Sequence, residues 1–182
     1  MLNSIVKYGV IGGLVMSAEM IGLSLSGGYQ AHGVWGMAIG YASMLIALSA
    51  VFVAIKRHRD DDRGGIIGFW PALGLGLGVA VIGSLFYVVT WELIQAFSTG
   101  DFAQVYAASM IESARASGLH GTALQAKIAE AEQFRRDYAN PLFRLPMTFI
   151  EIFPVGVLVS LISAALLRNP GFLPRRREPV AA

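Results

Sequence analysis

Residues 66–97 read "IIGFWPALGLGLGVAVIGSLFYVVTWELIQAF", a run with no charged side chain before Glu92. A helix rises about 1.5 Å per residue and a bilayer's apolar core takes about 20 residues, so the run predicts a membrane span. Within it Ala72, Gly76, Ala80 and Ser84 form one four-residue ridge, and Gly74 and Gly78 a second. Small residues at that spacing let neighbouring helices approach closely. The "GLGLG" of residues 74–78 has no strand-loop-helix setting and is discounted as a nucleotide loop.

Three further runs have the same character: Ser4 to Leu25, Val34 to Ile55 and Phe143 to Leu167. Small-residue faces recur in them at Gly9 and Gly13, at Gly36 and Gly40, and at Gly156, Ser160 and Ala164. The composition agrees: 55% of the 182 residues are hydrophobic and 14% charged, far from a soluble domain's balance. With 14 basic and 12 acidic residues, the net charge gives no reason to expect a nucleic-acid partner. Cysteine is absent, which excludes disulfides, thiolate nucleophiles and Cys-ligated metals.

Charge placement sets the expected topology. Lys56, Arg57, Arg59 and Arg63 crowd the second connection, and Arg175, Arg176 and Arg177 follow the last span. By the positive-inside rule both clusters belong in the cytoplasm, where they can also contact lipid heads. Four spans then place both termini in the cytoplasm, with residues 168–182 as a tail and 98–142 outside. The outer segment's own basic residues are interspersed with acids. The stretch "SGGYQAHG", residues 26–33, is a tight reversal. A signal peptide is disfavoured for the first span, because the apolar run is long and no A-x-A-like site follows.

The outer segment reads as an amphipathic helical hairpin. "DFAQVYAASMIESARASG" puts Phe102, Val105, Tyr106 and Ser109 on one face and ends at Gly118, a C-cap residue. A second helix is expected from Thr122, with Gln125 at capping-box spacing and Leu124, Ile128, Ala131 and Tyr138 as its apolar stripe. Pro141 suits the first turn of the final helix. The fold class is therefore an all-α integral membrane protein. It has four transmembrane helices in a single membrane domain, with the hairpin on the outer face between the third and fourth.

Three carboxylates fall inside or beside the spans. Counting inward from Arg168 at about 1.5 Å per residue puts Glu151 roughly 25 Å above the inner boundary, and Glu19 comes out roughly 22 Å up. Glu92 follows about 20 apolar residues after Pro71, near the outer interface. On helical wheels Glu19 and Glu92 share faces with small or packed residues, and Glu151 lies on the side of Arg144, Thr148 and Val155. Pro154 lacks an N–H, so it frees the carbonyl of Ile150 beside Glu151 and allows a bend. Intramembrane acids are costly and mark ion or proton sites, but paired acids also lock helices together. Glu19, Glu92 and Glu151 are therefore the candidate site, supported by Thr148, Arg144, Pro154 and Ile150. No cofactor is expected. Catalytic readings lack their parts: His32, His58 and His120 have no metal-ligand spacing, and no nucleophile elbow is present.

The stretches "GYASMLIALSAVFVAIKRHRD", "GIIGFWPALGLGLGVAVIGSLFYVVTWE" and "YANPLFRLPMTFIEIFPVGVLVSLISAALLRN" resemble the bacterial family of domain of unknown function 4199, from Lys7 to Asn169. The resemblance implies a small four-span protein of the bacterial inner membrane, and no reaction. Two functional classes stay open. One is a proton- or cation-responsive transport or coupling protein that uses the outer carboxylates. The other is a structural or accessory subunit of a membrane complex. The lipid bilayer is the first partner; a homo-oligomer through the small-residue faces and a membrane protein at the hairpin are further ones.

Overall fold

A computed structural model describes residues 1–25, 34–97 and 101–174 of the chain. Six α-helices appear among them: α1 (Leu2–Leu25), α2 (Val34–Arg57), α3 (Phe69–Phe97), α4 (Phe102–Ala116), α5 (Gly121–Tyr138) and α6 (Pro141–Leu167). A π-helical turn, His58–Asp62, follows α2 directly. No strand occurs among the described residues. The expected reversal at 26–33 and the arginines at 175–177 lie outside them.

α1, α3 and α6 are each long and apolar enough to cross a membrane. The remaining expected span corresponds to α2, 24 residues long. α3 starts three residues later than the sequence predicts, because Gly68 accepts from the Ala72 N–H and Pro71 occupies the first turn, where its missing donor costs nothing. α6 starts two residues earlier, at Pro141. Asn140 caps it, accepting the Leu142 N–H on its side chain at 3.0 Å and the Phe143 and Arg144 N–H groups on its carbonyl. α6 continues unbroken through Pro146 and Pro154.

The chain divides into two compact units, Met1–Thr90 with Phe149–Ala182, and Trp91–Thr148. In the first, glycines set the packing. A methyl group placed on Gly9 would lie 2.6 Å from Ile82, one on Gly13 2.5 Å from Phe86, and one on Gly78 2.9 Å from Ile5. α1 and α3 thus touch through bare backbone. Gly12 faces Ala47 and Ala50 of α2, Gly76 faces Ser160 of α6 and Ile55 of α2, and Gly156 faces Ala80. Both small-residue ridges of α3 therefore meet helices of the same chain, one meeting α1 and the other α6. Buried hydroxyls stay satisfied: Ser84 and Ser160 donate to carbonyls of their own helices, and Ser17 and Thr90 share a 2.6 Å hydrogen bond between α1 and α3. The outward faces carry Leu14, Val15, Leu85, Val89, Leu158 and Ile162, all exposed, the reverse of a soluble protein.

The second unit holds the α4–α5 pair. Asp101 caps α4 by accepting the Gln104 N–H at 3.1 Å. The helix ends as predicted at Gly118, whose φ of 81° lets Leu119 donate back to the Ala114 carbonyl. α5 begins at Gly121, not Thr122; its N-cap is His120, which makes no side-chain capping bond, so the expected capping box does not form. Phe102 packs against Tyr138 and Tyr106 against Phe134, with ring centroids 5.5 and 5.1 Å apart, which sets an antiparallel register. The buried face of α4 is Ala103, Ala107 and Ala114, not the expected stripe through Val105. Alanines allow close approach to Ala131 of α5 and leave the larger aromatics to one end. The α5 stripe is as expected at Ala131 and Tyr138, both buried.

Candidate functional site

Two adjacent residues near the end of α3 organise the second unit. Trp91 donates its indole N–H to the Tyr138 hydroxyl at 2.6 Å and meets Phe102 edge-on at 5.0 Å. Successive helix residues point about 100° apart. The next residue, Glu92, therefore turns to a different neighbour. It accepts two hydrogen bonds from Arg144, Nε to Oε1 at 2.6 Å and Nη2 to Oε2 at 2.5 Å. Arg144 also donates to the Tyr138 carbonyl at 3.3 Å and stands over its ring at 5.8 Å. Thr148 is buried and donates to the Arg144 carbonyl at 2.9 Å, one turn along α6. The pair is partly shielded, with side chains 28% and 17% exposed. Fork-to-fork geometry of this kind is the stronger class of ion pair.

The other predicted site residues divide differently. The sequence sets Arg144 on the same side of its helix as Glu151, two turns and about 10 Å away along the axis. Arg144 is committed to Glu92. Glu151 is exposed on α6 rather than set in a packed face, and its hydrogen-bonding neighbour is the Tyr87 phenol of α3. Glu19 is half-buried on α1, next to the buried Met16 and Met20. Ile150 and Pro154 are exposed. Among the described residues, no three His, Asp or Glu side chains are grouped to hold a metal ion.

The basic cluster after α2 contains the largest departure from expectation. Arg57 and Arg63 are exposed, as topology or lipid-head residues would be. Arg59 is fully buried. Its guanidinium reaches the carbonyls of Phe172 at 2.9 Å, Leu173 at 2.6 Å and, more weakly, Leu167 at 3.5 Å, while Nε donates to Asp60 at 2.7 Å. Lys56 pairs with the other Asp60 oxygen at 2.5 Å. Burial works against the charge on Asp60, but the hydrogen bonds from Arg59 and Lys56 outweigh it and hold the carboxyl below its usual range. Leu173 has φ of 46°, the left-handed region that a branched residue rarely adopts. The strained turn presents the Leu173 carbonyl to Arg59 Nη2. Sequence reasoning grouped Arg59 with its neighbours. The available signal was the base-acid alternation in "KRHRDDDR", which puts Lys56 opposite Asp60 and His58 opposite Asp62 at four-residue spacing.

Apolar membrane-length helices, small-residue contacts between them and lipid-like outward faces together define a helical membrane protein. Glu92 and Arg144 are paired with each other, whereas Glu19 and Glu151 lie within their helices and enter no ion pair among the described residues. The chain belongs to the family described as "Protein of unknown function (DUF4199)", which matches residues 7–169. No curated protein and no solved structure matches it.

Proposed function

We propose that this is a four-span protein of the bacterial inner membrane, with both termini cytoplasmic, that serves as a structural or accessory subunit of a membrane complex. In this reading α2 is the fourth span, and the α4–α5 hairpin is the outer module that engages another membrane protein. The observation that carries it is the two-pronged Glu92–Arg144 ion pair, seated beside Tyr138. A carboxylate whose two oxygens are both committed to a guanidinium is suited to holding helices rather than to loading and releasing ions. Val105 and Tyr106 remain exposed on the hairpin and are available to a partner. The test is a photo-crosslinker at Val105 in native membranes. A single stoichiometric adduct with another membrane protein is the expected result, and no adduct at any exposed α4 position overturns the reading.

A second reading, proton- or cation-responsive coupling, is favoured by one specific observation. Glu151 is exposed, and among the described residues it enters no ion pair; its hydrogen-bonding neighbour is the neutral Tyr87. With Glu19 on α1 it would form the responsive site. In proteoliposomes, Glu151→Gln should abolish any pH- or cation-dependent flux under this reading. Wild-type vesicles that carry no flux under proton, sodium or potassium gradients exclude it.

A further inference from the structure

A polar cleft of about 560 Å³ lies between the start of α1 and the turn that follows α2. That volume is typical of small-molecule sites. Lys7, Arg57 and Arg63 line it, together with Asp61, Asp62 and His58. The wall residues are not equally committed. Asp62 is taken up by His58 Nδ1 at 2.6 Å. Among the described residues, Lys7, Arg57, Arg63 and Asp61 enter no ion pair, although Lys56, Arg59 and Asp60 close by are fully engaged. Three cations held around one concavity repel each other, and an anion seated among them removes that cost. Arginine forks match phosphate oxygens in particular.

Two further features narrow the ligand. The uncommitted Asp61 makes the cleft two-signed, which disfavours a plain polyanion and suits a molecule carrying an ammonium near its phosphate. His58 is 4% exposed, and its Nε2 is buried with no hydrogen-bond partner among the described residues. Such an atom in a folded protein calls for a partner. The cleft also adjoins the ends of membrane-length helices, where lipid heads gather. We propose that it binds a phosphoethanolamine-type zwitterion, with Lys7, Arg57 and Arg63 holding the phosphate and Asp61 the ammonium. The ligand is either a lipid headgroup or its water-soluble counterpart. The proposal stands apart from the accessory role above, since it uses none of the residues of the Glu92–Arg144 pair.

Titration calorimetry on the purified full-length protein in detergent tests it, with four probes: dihexanoylphosphatidylethanolamine, glycerophosphoethanolamine, dihexanoylphosphatidylglycerol and inorganic phosphate. The ethanolamine lipid should bind at least about tenfold more tightly than the glycerol lipid and than phosphate, as expected when both charges find partners. The triple variant Lys7→Gln, Arg57→Gln, Arg63→Gln should lose about tenfold or more of the ethanolamine-lipid affinity. Asp61→Asn should erase the preference for ethanolamine over glycerol. All four positions are exposed, and unchanged melting of the variants verifies their folding. If glycerophosphoethanolamine binds as well as the lipid, the soluble compound is a sufficient ligand; if it binds far more weakly, the bilayer is the source. Equal affinity for ethanolamine and glycerol lipids, full affinity in the triple variant, or phosphate binding as tight as the ethanolamine lipid would each overturn the proposal.

Discussion

Arg59 and Arg144 both lie near ends of membrane-length helices, and they are satisfied in opposite ways. Arg59 is fully buried and spends most of its donors on backbone carbonyls at and just after the end of α6. Arg144 is partly exposed and spends its donors mainly on one carboxylate. Backbone carbonyls survive any side-chain substitution, whereas a carboxylate is lost with one. The first arrangement is a permanent tie; the second is a clasp that a single substitution loosens. Buried charge also makes the first the costlier to break, because removing one partner strands the others away from water.

The sharpest way to break this comparison is Arg59→Met. It leaves the Phe172 and Leu173 carbonyls unpaired and should cost about 3–5 kcal/mol, read by thermal or chemical unfolding in detergent. Arg59→Lys should recover little of this, since one ammonium cannot reproduce a planar fork. A loss below about 1 kcal/mol would show that the carbonyls find other donors. Glu92→Gln should cost less, about 1–3 kcal/mol, because the clasp is partly solvated and the amide still accepts one hydrogen bond.

Acid offers a milder probe of the same contrast. The carboxyl of Asp60 is held below its usual value, so its contribution is complete above the unfolded pKa, about pH 4, and is lost as pH falls through the lower folded value. Stability should therefore not change on this account between pH 7 and 5, then decline below about pH 4. In Asp60→Asn that part of the decline should vanish, while the ties from Arg59 to Phe172 and Leu173 persist. The smallest effect expected is Trp91→Phe, about 1 kcal/mol, from losing the donor to Tyr138 while keeping most of the ring packing. Intrinsic fluorescence is altered by that substitution, so circular dichroism is the suitable readout.

What the sequence made legible was periodic and local. The apolar runs placed α1, α3 and α6 to within three residues, the small-residue ridges of those three helices marked their contacts, and Gly118 and Pro141 punctuated the chain as expected; the surroundings of Gly36 and Gly40 lie outside the described residues. What it hid was set by partners distant in sequence. Glu92 and Arg144 are 52 residues apart, and the pairing follows from the fold rather than from either helix alone. Arg59 was hidden more deeply, because its acceptors are carbonyls, which every residue has and no side chain announces. The capping box failed for a local reason: Gly121 took a left-handed turn with φ of 57°, and the helix began before Thr122 could cap it.

The Arg59 tie also has a consequence for synthesis. Its acceptor at Leu173 is encoded 114 residues later. At about 5–20 residues per second, this guanidinium waits roughly 6–23 s for the partner that completes its shell. During that interval the turn after α2 cannot adopt its final state, however well the earlier helices have packed. The stretch just after α6 is thus the one that completes this turn, and a truncation before residue 172 would leave a nascent protein with its arginine still soliciting a partner.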